Sequence, residues 1–154
     1  MLTVIAFVVA LGLLIAVHEY GHYRVAVACG VKVLRFSVGF GHPLLRWKPK
    51  VQRPGQDTEF VIGAFPIGGY VRMLDGREGP VPAQDAQWAF NTRPLRHRAA
   101  IVAAGPLANL LLAVLLYSVV NWIGVQEPEP VLASPVIGSL ADDAGLRGGD
   151  WVQR

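Results

Sequence analysis

LTVIAFVVALGLLIAV (residues 2–17) runs directly into HEYGH (residues 18–22) and then resumes as Val25-Ala26-Val27-Ala28. The first sixteen residues carry no charge and, as a helix, cover about 24 Å, short of the roughly 30 Å hydrocarbon layer of a bilayer. A helix continuing to Ala28 reaches about 40 Å and spans it with some tilt. His18, Glu19 and His22 then lie inside the membrane, toward its second face. Polar groups are costly there and mark a functional site by default. A cleaved signal peptide would need positive charge ahead of the apolar run, and residues 1–17 have none.

Composition agrees with this reading. Of 154 residues, 53% are apolar and only 16% charged, against roughly 25% charged in soluble chains. The single cysteine, Cys29, excludes an internal disulfide framework. A second uncharged run, Ala99–Val125, is long enough to cross a bilayer, with Tyr117 and Trp122 near its far end. It contains Gly105-Pro106, placed in the second turn of a helix starting at Ala99. Asn109 follows, and serves either as interhelical glue or in the site.

Residues 29–98 hold eleven of the fourteen Lys and Arg residues, several of them flanking the apolar runs; beyond Val125 acids predominate. The positive-inside rule therefore predicts a cytoplasmic loop with both termini outside. Basic residues that bracket membrane segments, rather than interleave with aromatics on one face, argue against nucleic-acid binding. Within the loop, Val31–Phe36 and Thr58–Ile62 read as strands. Gly63–Val71 is apolar but broken by glycine and proline, which suggests an irregular segment dipping toward the membrane under protein cover. Glu127-Pro128-Glu129-Pro130 reads as a stiff linker, and the residues after it as the opening of a small β-rich domain.

HEYGH is the chemical centre of the sequence. Residues four apart share a helix face, so His18 and His22 can reach one Zn2+ ion. Glu19, about a third of a turn away, is placed to take a proton from a zinc-activated water attacking a peptide carbonyl, and to return it to the leaving amine. The bland alternative makes the histidines ordinary helix residues and pairs Glu19 with Arg24; in an apolar membrane helix that costs too much. Asp75 reads as a solvated turn residue, Cys29 as a small buried hydrophobe, and His42 and His97 as isolated.

Five blocks occur in order: His18-Glu19-x-x-His22, Phe36–Gly41, Phe65–Val71, Phe90-Asn91 and Ala104–Asn109. Together they resemble the site-2 protease family of intramembrane zinc metalloproteases over nearly the whole chain. The resemblance implies a bacterial inner-membrane, multi-pass enzyme that cleaves the transmembrane segment of a single-pass regulatory protein, such as an anti-sigma factor. It implies that residues 63–73 form a membrane-dipping β-loop taking the unwound substrate as an added strand, with Gly68, Gly69, Tyr70 and Asn109 as substrate-binding candidates. It also implies the start of a PDZ domain after Val131. The expected fold is thus mainly α-helical: a membrane helix with the zinc motif (1–28), a β-containing cytoplasmic loop (29–98), a second membrane helix (99–125), and a linker with a truncated PDZ start (126–154).

The family's third zinc ligand is an Asp in a Leu-Asp-Gly motif on a later membrane helix. Leu74-Asp75-Gly76 spells that tripeptide but follows the β-loop instead. Because catalytic zinc takes three protein ligands, this chain is expected to be an N-terminal portion, inactive without a C-terminal half that supplies the third. Two other readings stay open: a membrane-anchored PDZ adaptor with a vestigial metal site, and a soluble zinc protease whose apolar runs are core helices.

Overall fold

The computed structural model describes residues 1–124 and 131–151. The elements are helix α1 (Leu2–Ala28), strands β1 (Val33–Trp47) and β2 (Glu59–Met73), two short 3-10 turns (Ala86–Trp88 and Phe90–Thr92), helix α2 (Leu95–Ile123) and a one-turn helix α3 (Leu140–Asp143). They fall into two compact units, residues 1–116 and 117–154.

Both long helices are apolar and long enough to cross a membrane. At 1.5 Å per residue, their 27 and 29 residues extend about 40 and 44 Å. Most of α1 before His18 exposes large apolar side chains, Leu2 and Phe7 among them, a surface suited to lipid rather than water. α1 ends in a Schellman turn: Val31 N–H donates to Ala26 O (2.9 Å) and Gly30 N–H to Val27 O (3.2 Å), with Gly30 at φ 71°.

α2 begins four residues before the expected Ala99. Pro94, which has no N–H to lose, precedes the first turn, and its carbonyl accepts from the His97 and Arg98 amides. Arg96 and Arg98 are therefore helical rather than flanking residues. Pro106 accordingly sits deep in the helix and not in its second turn. It removes the helical bond to Val102 O, which leaves that carbonyl without its usual donor.

The stretch 63–71 is a correction to the sequence reading: it is not irregular but lies wholly within β2. The broken composition is that of a bent strand. Val33 lies opposite Met73, Phe36 opposite Val71, and Val38 opposite Gly69; farther out, Pro43 faces Gly63 and Trp47 faces Phe60. Phe36, Ser37 and Val38 also lie beside Phe60, Val61 and Ile62, so β2 flanks this part of β1 on both sides. β1 turns at Gly39 and Gly41 (φ 88° and 82°), where other residues would be strained. Both strands are therefore far longer than Val31–Phe36 and Thr58–Ile62, because pairing partners remote in sequence extend them.

Ala26, Val31, Val33 and Ile101 form a small core, with Cys29, Val71, Met73 and Phe90 packed on it. The loop between the strands is tied down by amide side chains. Gln56 accepts from Val33 N–H and donates to Val31 O (2.9 and 2.8 Å), while Gln52 accepts from Thr58 N–H and donates to its carbonyl (2.8 and 3.0 Å). Thr58 is fully buried and its hydroxyl donates to Val33 O at 2.8 Å. Thr58→Val keeps the shape but strips that carbonyl of its side-chain donor, with an expected loss of about 1–2 kcal/mol. Comparing unfolding of the two proteins in detergent measures it.

In the second unit, Ser139 caps α3 by accepting from Asp142 N–H, and the Asp142 carboxylate accepts from Gly138 N–H at 2.8 Å. Val131 and Trp151 form an isolated bridge. The linker reading of Glu127–Pro130 and the tail of the second apolar run at Val125 lie outside the described residues.

Candidate metal centre

α1 brings His18 and His22 together as their spacing predicts, with ring centroids 4.8 Å apart at 82° and the two Nε2 atoms 3.2 Å apart. Nitrogens about 2.0–2.1 Å from a tetrahedral zinc ion stand about 3.3 Å from each other, so the pair fits one ion. α2 supplies the groups that meet the outer ring nitrogens. His22 Nδ1 donates to Ile101 O at 2.7 Å. A carbonyl can only accept, so the Nδ1 of His22 carries the proton and its Nε2 lone pair is free to bind.

Glycines set how near the helices come. A Cβ on Gly105 would overlap His22 Nε2 and stand 2.8 Å from His18 Nε2. A Cβ on Gly21 would stand 2.5 Å from Ala104 O. Both positions must be bare for α2 to lie against the imidazoles. Asn109, farther along α2, places Nδ2 3.4 Å from His18 Nδ1.

Glu19 points toward β2 and, with His22, lines a cleft of about 300 Å³ that Val71, Met73 and Asp75 also border. No ion pair joins Glu19 to Arg24 among the described residues; Arg24 instead lies over the Tyr20 ring, 5.9 Å from its centroid. Gly69 passes so close that a Cβ there would come within 2.8 Å of Glu19 Cγ and 2.7 Å of Ser37 O. Of the four substrate-binding candidates, then, Gly69 adjoins Glu19 and Asn109 adjoins His18. Gly68 and Tyr70 pack instead on Phe40, Tyr70 by stacking at 6.1 Å and 16°.

Among the described residues no group of three His, Cys, Asp or Glu is arranged to hold a metal. Asp75 shares the cleft with His22 but is engaged elsewhere. Its carboxylate accepts from the Arg77 guanidinium at 2.5–3.1 Å and from Arg77 N–H at 2.9 Å. It is a turn residue, as expected, but not a solvated one, since its side chain is only 10% exposed. The Arg77 side-chain hydrogen bonds hold its carboxyl below the usual range. Its contribution to stability is therefore complete above the unfolded-state value, about 3.9, and fades as acid titrates the folded carboxylate. Sequence reasoning missed Ile101 O as a partner of His22, because a backbone carbonyl leaves no mark in a sequence.

The model for Peptidase family M50 matches residues 6–141. This chain belongs to peptidase family M50. Its relatives in the family include a Ralstonia nicotianae protein named "Putative zinc metalloprotease", 51% identical over 99% of this chain and 34% of its own length. The regulator of sigma-E protease RseP of Escherichia coli is 46% identical, and that of Salmonella typhimurium 47%, each over 94% of this chain and 31% of the relative. The chain thus spans about a third of the M50 proteins it matches. M50 membership places the chain in the site-2 protease family, and the relatives it matches carry the names of zinc metalloproteases.

Proposed function

We propose that this chain carries the two-histidine and carboxylate half of a membrane-embedded zinc endopeptidase that cuts the transmembrane segment of a regulatory membrane protein, of the anti-sigma-factor kind. The observation that supports it most is the 3.2 Å Nε2–Nε2 separation of His18 and His22 on a helix able to span a bilayer. His18 and His22 hold the ion, and the third ligand comes from a part of the full-length protein outside residues 1–154. Zinc supplies a Lewis acid and brings the acidity of water toward neutrality. Glu19 accepts the proton of the attacking water and delivers it to the departing amine. Residues 63–73 receive the unwound substrate as an added strand along the segment that passes Glu19; in the pairing of β1 and β2, Gly69–Met73 has a partner on one side only. The loop 29–98 faces the cytoplasm of a bacterial inner membrane, and a PDZ domain after Val131 stands on the outer side as a size filter.

A second reading, a membrane-anchored adaptor with a vestigial metal site, draws on the lack of a third ligand among the described residues. Elemental zinc on the purified full-length protein separates the two. One equivalent in the wild type is expected, falling below a tenth in His18→Ala and His22→Ala, together with cleavage of a model transmembrane helix by the wild type only. A zinc-free, inactive wild type would leave the adaptor.

A further inference from the structure

Each of the two imidazoles presents its Nε2 to the other, and its Nδ1 to a group on α2. For His22 that group is the Ile101 carbonyl, which leaves the Nε2 of His22 bare. For His18 the group is an amide, whose two ends are nearly the same size and opposite in function. As placed, Asn109 Nδ2 faces His18 Nδ1 at 3.4 Å, while Oδ1 is enclosed by protein without a hydrogen-bond partner. In that orientation the protons run in one direction. Asn109 N–H donates to His18 Nδ1, His18 Nε2–H donates to His22 Nε2, and His22 Nδ1–H donates to Ile101 O. The chain is complete with no metal, but it protonates the nitrogen on which His18 would bind one and leaves Oδ1 buried and unpaired, a costly state.

A half-turn of the Asn109 amide about Cβ–Cγ frees the binding nitrogen of His18 and gives Oδ1 a donor, while carrying Nδ2 into the enclosed position that Oδ1 leaves. Oδ1 then meets His18 Nδ1, which must carry the proton, and both Nε2 lone pairs are bare 3.2 Å apart, an arrangement that calls for a cation. We propose that Asn109 is a positioning residue for His18: its amide oxygen holds the metal-binding tautomer in the loaded state, and its amide nitrogen holds the alternative tautomer when the metal is gone. Asn109 therefore acts through the ligand and not on the substrate strand. Partners of this kind on metal-bound histidines are worth about 10–100-fold in metal affinity.

This rests on the zinc reading above, and the test separates the two. Zinc is titrated into full-length protein against a competing chelator, for the wild type, Asn109→Ala and Asn109→Asp. Asn109→Ala is expected to bind zinc about 10–100-fold more weakly, whereas Asn109→Asp, which still accepts from Nδ1–H, stays within about threefold of the wild type. An Asn109→Ala affinity equal to the wild type, or an Asn109→Asp affinity as weak as Ala, overturns the proposal. Nitrogen-15 spectra of histidine-labelled wild type need no variant to fold. They are expected to show the His18 proton on Nε2 without metal and on Nδ1 with zinc; a bare Nδ1 in the zinc-loaded protein overturns the proposal. A wild type that takes up no zinc overturns the zinc reading itself.

Discussion

Replacing Glu19 by Gln in the full-length protein is expected to slow cleavage of a transmembrane substrate by about 10²–10⁴-fold while leaving one zinc per molecule. Gln has the shape of Glu and can still hydrogen-bond a water, but it cannot take a proton from it. The side chain stands on the face of α1 that meets β2, in the cleft with His22, and Gly69 confines it from above. Neither imidazole bonds to it: His22 is held by Ile101 O, and His18 is approached by Asn109. Metal binding should therefore survive the substitution and proton transfer should not. Zinc analysis and a timed cleavage assay on the same preparation check both halves. Equal cleavage rates for variant and parent would remove Glu19 from the mechanism and leave the carboxylate without a role.

Gly105→Ala is expected to lower zinc affinity by about 10–100-fold and, with it, activity. The added methyl would occupy the space of His22 Nε2 and press on His18 Nε2. Neither ring has an easy retreat. The His22 ring is fixed by its bond to Ile101 O one turn earlier on the same helix, so pushing the ring away also pulls on α2. The alternative is for α2 to draw back, which breaks the close contact of Gly21 with Ala104 and Ala108 and costs about 1–3 kcal/mol, as overpacking does. Gly12→Ala serves as the control. Its Cβ would meet nothing within 4 Å, so helix stability should rise slightly and zinc affinity stay unchanged. Chelator competition on the three proteins gives the result. Unaltered zinc affinity in Gly105→Ala would mean that the helices do not converge on the imidazoles as described.

Several features were legible because they are local. The α1 boundary at Ala28 follows from the apolar character of Val25–Ala28, and the structure adds Gly30, whose positive φ ends the helix. The pairing of His18 with His22 follows from helical geometry alone. Residues 63–71 are irregular by local rules, which see a proline and three glycines, and a β-loop only by the family resemblance, because the strand is maintained by Phe36–Pro43, some twenty to thirty-five residues earlier. The start of α2 is not legible in the same way, because Arg96 and Arg98 read as charges flanking an apolar run, whereas Pro94 favours helix from Leu95 onward. Asp75 was recognised as a turn residue, but the near-complete cover on its carboxylate comes from Arg77 folding back onto it.

Two bilayer-length helices, a zinc-capable pair of imidazoles with a carboxylate beside them, and an ordered set of motifs specific enough to indicate the family are all written in the amino-acid order. Each of these is a property of neighbouring residues or of the sum of their side chains. Which nitrogen of His22 is bare, which of the candidate residues adjoin the site, and why Gly105 must lack a side chain are matters of packing. Those outcomes depend on a backbone carbonyl, an amide and a bare Cα brought from α2, some eighty to ninety residues away, and distances across such a gap are set by packing rather than by any local pattern.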